Sequence, residues 1–453
     1  MVKNNGFRTL LLIALLWLAG CSSINDARKA QDTTAIPPGE RTVRAKEVGL
    51  APNSTLTINR ALEIALTYHP SIVQSKQSLV IAEKQYSDAV AIYLPSINAN
   101  ADYGIKTSNT TAGEETNKNS KSYSTGASLN QLIYDFGKTP AAMRQAYENK
   151  LAAEASLRST QNNIYYNVRQ AYYNLIKQQS LVKVDEETVN QFQVHLDQVK
   201  ELVEVGRRIK YDITKSEVDL GNARITLVDA RNALRTSRAV LNNSLGLAED
   251  PQYQVEEPAG ETLSYKFDEL YQSALQNQPD LAAQIAKEKA SSAAVDQSIA
   301  NLFPSLSLGG NYNWNGNDLP LVWNWSLTGL LNGTLFNGFR NTNQIDEAVA
   351  ALRSARAARA LLEQQIYLNL SQAVAQMEND REKLEIATLV VQNAKENLTL
   401  VQEQYKIGKA SSIELTDALV SLSNAQSQQV QAHFNYQIDV ALIKKTVGTD
   451  KIK

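Results

Sequence analysis

The chain has 453 residues, a formal net charge of −2, one Cys and only 11 Pro. A near-neutral balance without a clustered basic surface argues against a nucleic-acid partner, and a lone Cys excludes a disulfide within the chain. Ala, Leu, Gln and Asn are abundant, which suits long helices with polar outer faces.

In chain order, the N-terminus carries Lys3 and Arg8, then an apolar run from Leu10 to Leu18, then Leu18-Ala19-Gly20-Cys21. The run is too short to span a bilayer and reads as a secretory signal over residues 1–20. Small residues leading into Cys resemble the bacterial lipoprotein cleavage box, which implies acylation of Cys21 as the first mature residue. An unmodified Cys beside an ordinary cleavage site is the alternative. Ser22, rather than Asp, favours the outer membrane by the same resemblance. Residues 21–55 are polar, contain Pro37-Pro38-Gly39, and read as an extended lipid-anchored tether. No later segment is apolar enough for a transmembrane helix, so any membrane crossing must use strands.

From residue 56 the chain runs through one pattern twice. The first unit, 56–247, predicts a helix from near Thr57 to before Pro95, a hairpin at about 96–136, and helices at about 139–205 and 212–245. An acidic linker, 248–262, leads to the second unit, 263–448, with helices at about 265–301, 339–406 and 413–446 and a hairpin at about 305–337. A short tail, 449–453, follows. Pro70 and Pro95 recur 209 residues later as Pro279 and Pro304, whereas Gly206, Asp212, Thr214 and Gly246 recur 202 residues later as Gly408, Glu414, Thr416 and Gly448. The slip of seven places the longer hairpin loop in the first unit. Such a repeat fixes architecture before any single motif does.

Each long helix would be about 100 Å long at 1.5 Å per residue, so it needs partners along its whole length. They leave a trace: Val168, Leu175, Val182, Val189, Leu196 and Val203 form a seven-residue row, matched by Leu370, Met377, Leu384, Val391, Leu398 and Tyr405. The shorter helices carry Ile213, Leu220, Leu227, Leu234 and Leu241, and Leu415, Leu422, Gln429, Tyr436 and Ile443. A strict heptad row keeps facing one neighbour only if the helices coil about each other. The rows alone also fit a soluble antiparallel bundle.

The hairpins argue for a membrane. Ile97, Ala99, Ala101 and Tyr103 alternate, as do Tyr123, Thr125, Ala127 and Leu129. Leu306, Leu308, Tyr312 and Trp314 alternate in the second unit, followed by Leu321, Trp323, Trp325 and Leu327. Strands of about 10 residues with this period match an outer-membrane barrel. Tyr103, Tyr123, Tyr312, Trp314, Trp323 and Trp325 are expected at the membrane interface, where aromatic rings gather. Soluble hairpins capping a bundle are the alternative. Four strands cannot close a barrel, and an open edge in lipid leaves backbone groups unsatisfied, so several chains must share one.

With these features the chain resembles the TolC-like outer-membrane efflux family over nearly all of its mature length. The resemblance rests on the repeat, the strand starts at Pro95 and Pro304, the strand ends Tyr134-Asp135-Phe136-Gly137 and Phe336-Asn337-Gly338-Phe339, and the tips Val205-Gly206 and Ile407-Gly408. It implies a mainly α fold with a small β part: a homotrimer whose α-helical barrel joins a shared 12-strand outer-membrane β-barrel. An exit duct for efflux or type I secretion is implied, fed by an inner-membrane transporter and a periplasmic adaptor (membrane fusion) protein. Val205, Gly206, Arg207, Arg208, Ile407, Gly408 and Lys409 would form the adaptor-docking tips. Asp212, Glu414 and Asp417 would line the periplasmic gate. Asp212 and Glu414 also suit plain helix starts, and the two glycines plain helix ends. Ala410 stands where some relatives place a gate-clasping Arg, for which Arg207 or Arg208 can substitute.

Nothing in the sequence supports an enzyme, a cofactor or a metal site. His69, His195 and His433 have no local metal spacing and read as solvated or capping residues. A lipid-anchored periplasmic coiled-coil scaffold or adhesin stalk without a pore is the competing class.

Overall fold

The computed structural model describes residues 36–51, 54–108, 118–263 and 265–449, with a few isolated positions between 24 and 31. The expected signal segment, the acylation site Cys21 and the last residues of the tail lie outside the described residues.

Two helix–hairpin–helix–helix units follow each other. The first contains α1 (Ile58–Tyr68), α2 (Pro70–Ala91), β2 (Ser96–Ser108), β3 (Lys118–Tyr134), α3 (Lys138–Glu204) and α4 (Lys210–Ser244), preceded by the short strand β1 (Thr55–Leu56). The second opens with β4 (Gln254–Val255), then α5 (Phe267–Asn277), α6 (Pro279–Ala300), β5 (Ser305–Gly316), β6 (Val322–Asn332), α7 (Arg340–Lys406) and α8 (Ser412–Val447). Helices α3 and α7 are each 67 residues long.

The sequence predicts one helix before each hairpin, and the structure has two. His69 and Gln278 take extended backbone, ψ 128° and 116°, because the following proline ring crowds an α conformation. Pro70 and Pro279 then start the next helix, where the missing amide costs nothing. Each bend receives the end of another helix: Gly246 packs on His69 and Pro70, and Gly448 on Asn277 and Gln278.

The expected tether is also folded from residue 36 onward. Val43, Val48 and Leu50 are buried in one core with Ile64, Val168, Leu175 and Leu245. The linker is drawn in too: β4 runs parallel to β1, and the fully buried Tyr172 hydroxyl lies 2.7 Å from the carbonyl oxygens of Leu56 and Glu256, tying both strands to α3. Pro and charge made both segments look solvated, but their sparse apolar residues reach one shared core.

The heptad rows are the seams of the bundle. Val168, Leu175, Leu370, Met377 and Ile443 are at most 1% exposed. Side by side, the contacts give the order α4–α3–α8–α7 in the far half of the bundle and α2–α3–α6–α7 nearer the sheet. The sheet has the order β2-β3-β5-β6, antiparallel throughout. One chain is thus an open wall, with strands β2 and β6 and helices α2, α4 and α7 as its edges. Those edge helices keep exposed apolar residues, among them Val218, Ile225 and Val228 on α4 and Leu361, Leu368 and Leu389 on α7.

Candidate functional site: the sheet faces and the helix tips

The register sorts the four strands into two chemically opposite faces. Tyr103 pairs with Tyr123, Thr125 with Trp314, Ala127 with Tyr312, Tyr312 with Trp325, and Trp314 with Trp323. Paired residues share a face, so all six expected interface aromatics lie on one side, with Ile97, Leu129, Leu327 and Leu331. Trp323, Trp325 and Leu331 are 58%, 66% and 67% exposed, with no protein over them in the chain. Ring contacts order this face, with Tyr103 against Tyr123 at 5.0 Å and Tyr312 against Trp314 at 4.5 Å.

The opposite face is mostly amides and hydroxyls, with Leu132, Val322 and Leu330 as its apolar members. Asn98, Asn100, Ser124, Ser128, Asn130, Ser307, Asn311, Asn313, Asn315, Asn324 and Ser326 fall there by the same register. Asn324 donates to Asn315 at 3.0 Å, and Asn100 to Asp102 at 2.9 Å. Gly126 leaves room for the Asn313 side chain across the strands, which a Cβ would strike. An apolar outer face and a polar inner one is the pattern of a wall between lipid and water.

A second aromatic cluster lies at the helix end of the sheet. Phe136 stacks on Phe303 at 5.7 Å and meets Tyr134 at 4.8 Å, and Phe336 meets Phe339 at 5.5 Å. Tyr134, Phe136, Phe336 and Phe339 mark the strand ends in the sequence, but with Phe303 they were not expected as an aromatic band, because they stand outside the alternating runs. Their signal is conformational. Phe136 and Gly137 are both left-handed, and so are Gly338 and Phe339, so each unit keeps one Gly and spends a Phe on the other position. Such a residue costs about 1 kcal/mol or more. Asp135 offsets part of this by accepting the Thr139 amide at 2.7 Å, an N-terminal cap for α3.

At the far end both long helices stop alike. Gly206 and Gly408 have φ of 74° and 77°. The Gly206 amide donates to Val203 and that of Arg207 to Leu202, both at 2.9 Å; Gly408 donates to Tyr405 and Lys409 to Gln404, at 3.0 and 2.8 Å. These backward bonds satisfy the last helical carbonyls. Val205 and Ile407, each 68% exposed, project from the tips beside the exposed Arg207 and Lys409.

Arg208 joins the two tips of the chain. Its guanidinium donates to the Ala410 carbonyl at 2.9 Å and lies 4.9 Å from the ring centre of the buried Tyr405. Ala410 therefore contributes a backbone acceptor, and the arginine comes from the other unit. Beneath it His195 is 2% exposed, edge-on to Tyr405, with Nε2 3.1 Å from Ser412 Oγ. Expected as a solvated or capping residue, His195 is instead buried between helices, and burial pushes its pKa down. His69 does cap α2, accepting the Ser71 amide at 3.2 Å, and His433 lies 3.5 Å from Glu257.

The three expected gate carboxylates do not form one cluster within a chain. Glu414 closes the start of α8: the Ser411 amide donates to its carboxylate at 2.6 Å, and the Glu414 amide donates to Ser411 Oγ at 3.2 Å. Those bonds hold its pKa below the usual carboxylate value. Asp417 lies three residues on, exposed on the same helix face. Asp212, in the first turn of α4, is half-buried and acts electrostatically on Tyr405 and His195. A further carboxylate, Asp219, bonds Lys215 at 2.5 Å and accepts from Thr416 at 3.3 Å, linking α4 to α8; nothing in the sequence singled it out.

Among the described residues no group of three or more His, Cys, Asp or Glu could hold a metal ion, and no helix is long and apolar enough to cross a membrane.

A family model described as outer membrane efflux protein matches residues 61–247 and 270–449. The probable efflux pump outer membrane protein TtgC of Pseudomonas putida is 24% identical over 328 residues, 69% of this chain and 66% of that protein, a little under two thirds of its length. The toluene efflux pump outer membrane protein TtgI of Pseudomonas putida is 24% identical over an alignment 471 positions long, covering 96% of this chain and 95% of that one. The crystal structure of the outer membrane protein VceC from Vibrio cholerae superposes with a TM-score of 0.78 at 17% identity, over 86% of this chain and 96% of that one.

Proposed function

The chain belongs to the outer membrane efflux protein family, and from that premise we propose that it is the outer-membrane exit duct of a tripartite export system. The observation that carries this reading is the four-stranded wall with one apolar and one amide-lined face and two unpaired edges. Unpaired strand edges are not tolerated in lipid. Edges β2 and β6 pair with the corresponding strands of neighbouring copies, and three chains supply twelve strands. The order α4–α3–α8–α7 closes in the same way, with the apolar residues left on α4 and α7 as the seam between copies.

The two aromatic bands then mark the two membrane boundaries, the Tyr/Trp set outward and the Phe set toward the periplasm. Acylated Cys21 anchors the chain to the same membrane. About fifteen residues separate it from Ile36, a reach of at most about 50 Å, shortened where Ile24, Ala27, Arg28, Ala30 and Gln31 are helical. Helix α2, which leads up to the sheet from near that point, is about 33 Å long. The tips at Gly206 and Gly408 are the docking surface for a periplasmic adaptor, which couples the duct to an inner-membrane transporter. Glu414 and Asp417, repeated by threefold symmetry, form a charged ring at the entrance, and Arg208 clasps the two tips of each chain. The relative named for toluene efflux favours small compounds as cargo.

Planar-bilayer recording from purified full-length protein tests the reading. Discrete, cation-preferring conductance steps support it. Protein that inserts without conducting would leave only a scaffold or stalk.

A further inference from the structure

One buried acid pair breaks the internal repeat. Asp380 on α7 and Asp439 on α8 are 2% and 7% exposed, and their carboxyls are in hydrogen-bonding contact. The positions 202 residues earlier hold Gln178 and Ser237, so the helix packing itself does not call for acids. Around Asp380, Gln376 donates at 3.2 Å, Asn379 at 3.3 Å and Lys383 at 3.3 Å. Asp439 Oδ2 is enclosed without a hydrogen-bond partner. From α3, Lys177 is engaged by Asn435 Oδ1 at 3.2 Å, and Tyr166, with Lys445 over its ring at 4.8 Å, also faces Asp439.

Lys383 bonds Asp380 and Lys177 acts on it from α3, while on Asp439 the field of Lys383 is outweighed by burial and by Asp380. Two facing carboxylates in a dry interior cannot both ionise cheaply. A single proton between them turns repulsion into an O–H···O bond, and its loss leaves an enclosed charge that only hydration relieves. Burial first, and Asp380 second, push Asp439 up to about 7.

We propose that Asp380 and Asp439 form a one-proton latch between α7 and α8, shut while they share a proton and released when it leaves. The latch lies about 40 Å from the tip, counting from Lys406 at the end of α7. Its release loosens the α7–α8 seam beside Met377 and Tyr436, while the α3–α4 seam, with Gln178 and Ser237, is unaffected.

The test uses full-length purified protein titrated from about pH 5.5 to about pH 8.5, a range that brackets the expected loss of the proton. Infrared difference spectra should show a protonated-carboxyl band that disappears with rising pH in the wild type. The band should be missing in Asp439→Asn. Amide exchange, corrected for its intrinsic pH dependence, should speed about tenfold around 376–384 and 435–443 at the alkaline end, equivalent to one 1.36 kcal/mol step. Asp439→Asn and Asp380→Asn, both isosteric, should abolish that change, and either serves if the other fails to assemble. A band that persists in Asp439→Asn, or equal exchange at both ends of the titration, would overturn the latch. None of these readouts depends on transport, so their failure leaves the duct reading untouched.

Discussion

Replacing Gly448 with Ala should damage the fold more than the same change at the other helix-ending glycines. Gly206, Gly246, Gly408 and Gly448 all have φ between 74° and 81°, so each carries the same left-handed penalty, about 1 kcal/mol. Their surroundings differ. A Cβ on Gly448 would lie 2.6 Å from the Asn277 carbonyl oxygen and 2.9 Å from Gln278 Cα, backbone atoms held in the bend before Pro279. Overpacking of that kind adds about 1–3 kcal/mol, for a total of about 2–4 kcal/mol. On Gly246 the nearest atoms, His69 Cα and Pro70 Cδ, are 3.3 Å away, and a shift of a few tenths of an ångström relieves them, so the total stays at about 1–2 kcal/mol. Gly206 and Gly408 have nothing within 4 Å and pay the backbone cost alone. Thermal melts of the detergent-solubilised variants at one scan rate should rank Gly448→Ala below Gly246→Ala, and both below the two tip variants. If Gly206→Ala or Gly408→Ala melts as low as Gly448→Ala, the bends are not the rigid joints described here.

At the tips, Gly206→Pro and Gly408→Pro remove the amides that bond to Val203 and Tyr405 and impose a φ of the wrong sign; assembled protein should remain in the membrane while adaptor crosslinking and transport fail. Glu414→Gln combined with Asp417→Asn keeps the helix start and removes the charge, so cation preference and block by trivalent cations should weaken in bilayers; unchanged values would make both residues helix-start residues only. Arg208→Ala removes a cation–π contact of about 0.5–1 kcal/mol together with the bond to Ala410 and should raise single-channel conductance while lowering the melting temperature only slightly, whereas unaltered conductance would deny it a clasping role. Cys21→Ser should abolish incorporation of labelled fatty acid, and an unmodified wild-type Cys21 in mass spectra would defeat the anchor. For the acid pair the sign is set by a pKa raised to about 7 from 3.8: its stabilisation is full below the unfolded value and lost as pH rises through about 7. The melting-temperature advantage of wild type over Asp439→Asn should therefore shrink between about pH 5 and pH 8, and a constant difference would exclude a shared proton.

Much of the architecture could be read from the sequence because it is periodic. A row such as Val168 to Val203 has one geometric solution, a continuous seam, and alternation such as Leu306 to Trp314 has another, a two-faced strand. What stayed hidden depends on contacts distant in sequence. The bends at His69 and Gln278 required weighing Pro70 and Pro279 against helical patterns on both sides. The folding of residues 36–51 and 54–56 depends on α3, over 100 residues away, and on β4. Among the candidate site residues, Gly206 and Gly408 were legible because a helix end needs a left-handed residue. The Phe136 band was not, since it is built from turns. Arg208 was one of two candidates, and only the approach of the two tips favours it over Arg207. His195 and Asp380 carried no local pattern, since their burial arises only when three helices meet.

Electron cryo-microscopy of the detergent-extracted full-length protein tests the central claim most directly. The account predicts three chains around one hollow axis, with β6 of each chain paired to β2 of the next in a closed twelve-stranded barrel and the amide face turned inward. A single open chain, a solid rod, or a ring in which the Trp323–Trp325 face lines the interior would contradict it.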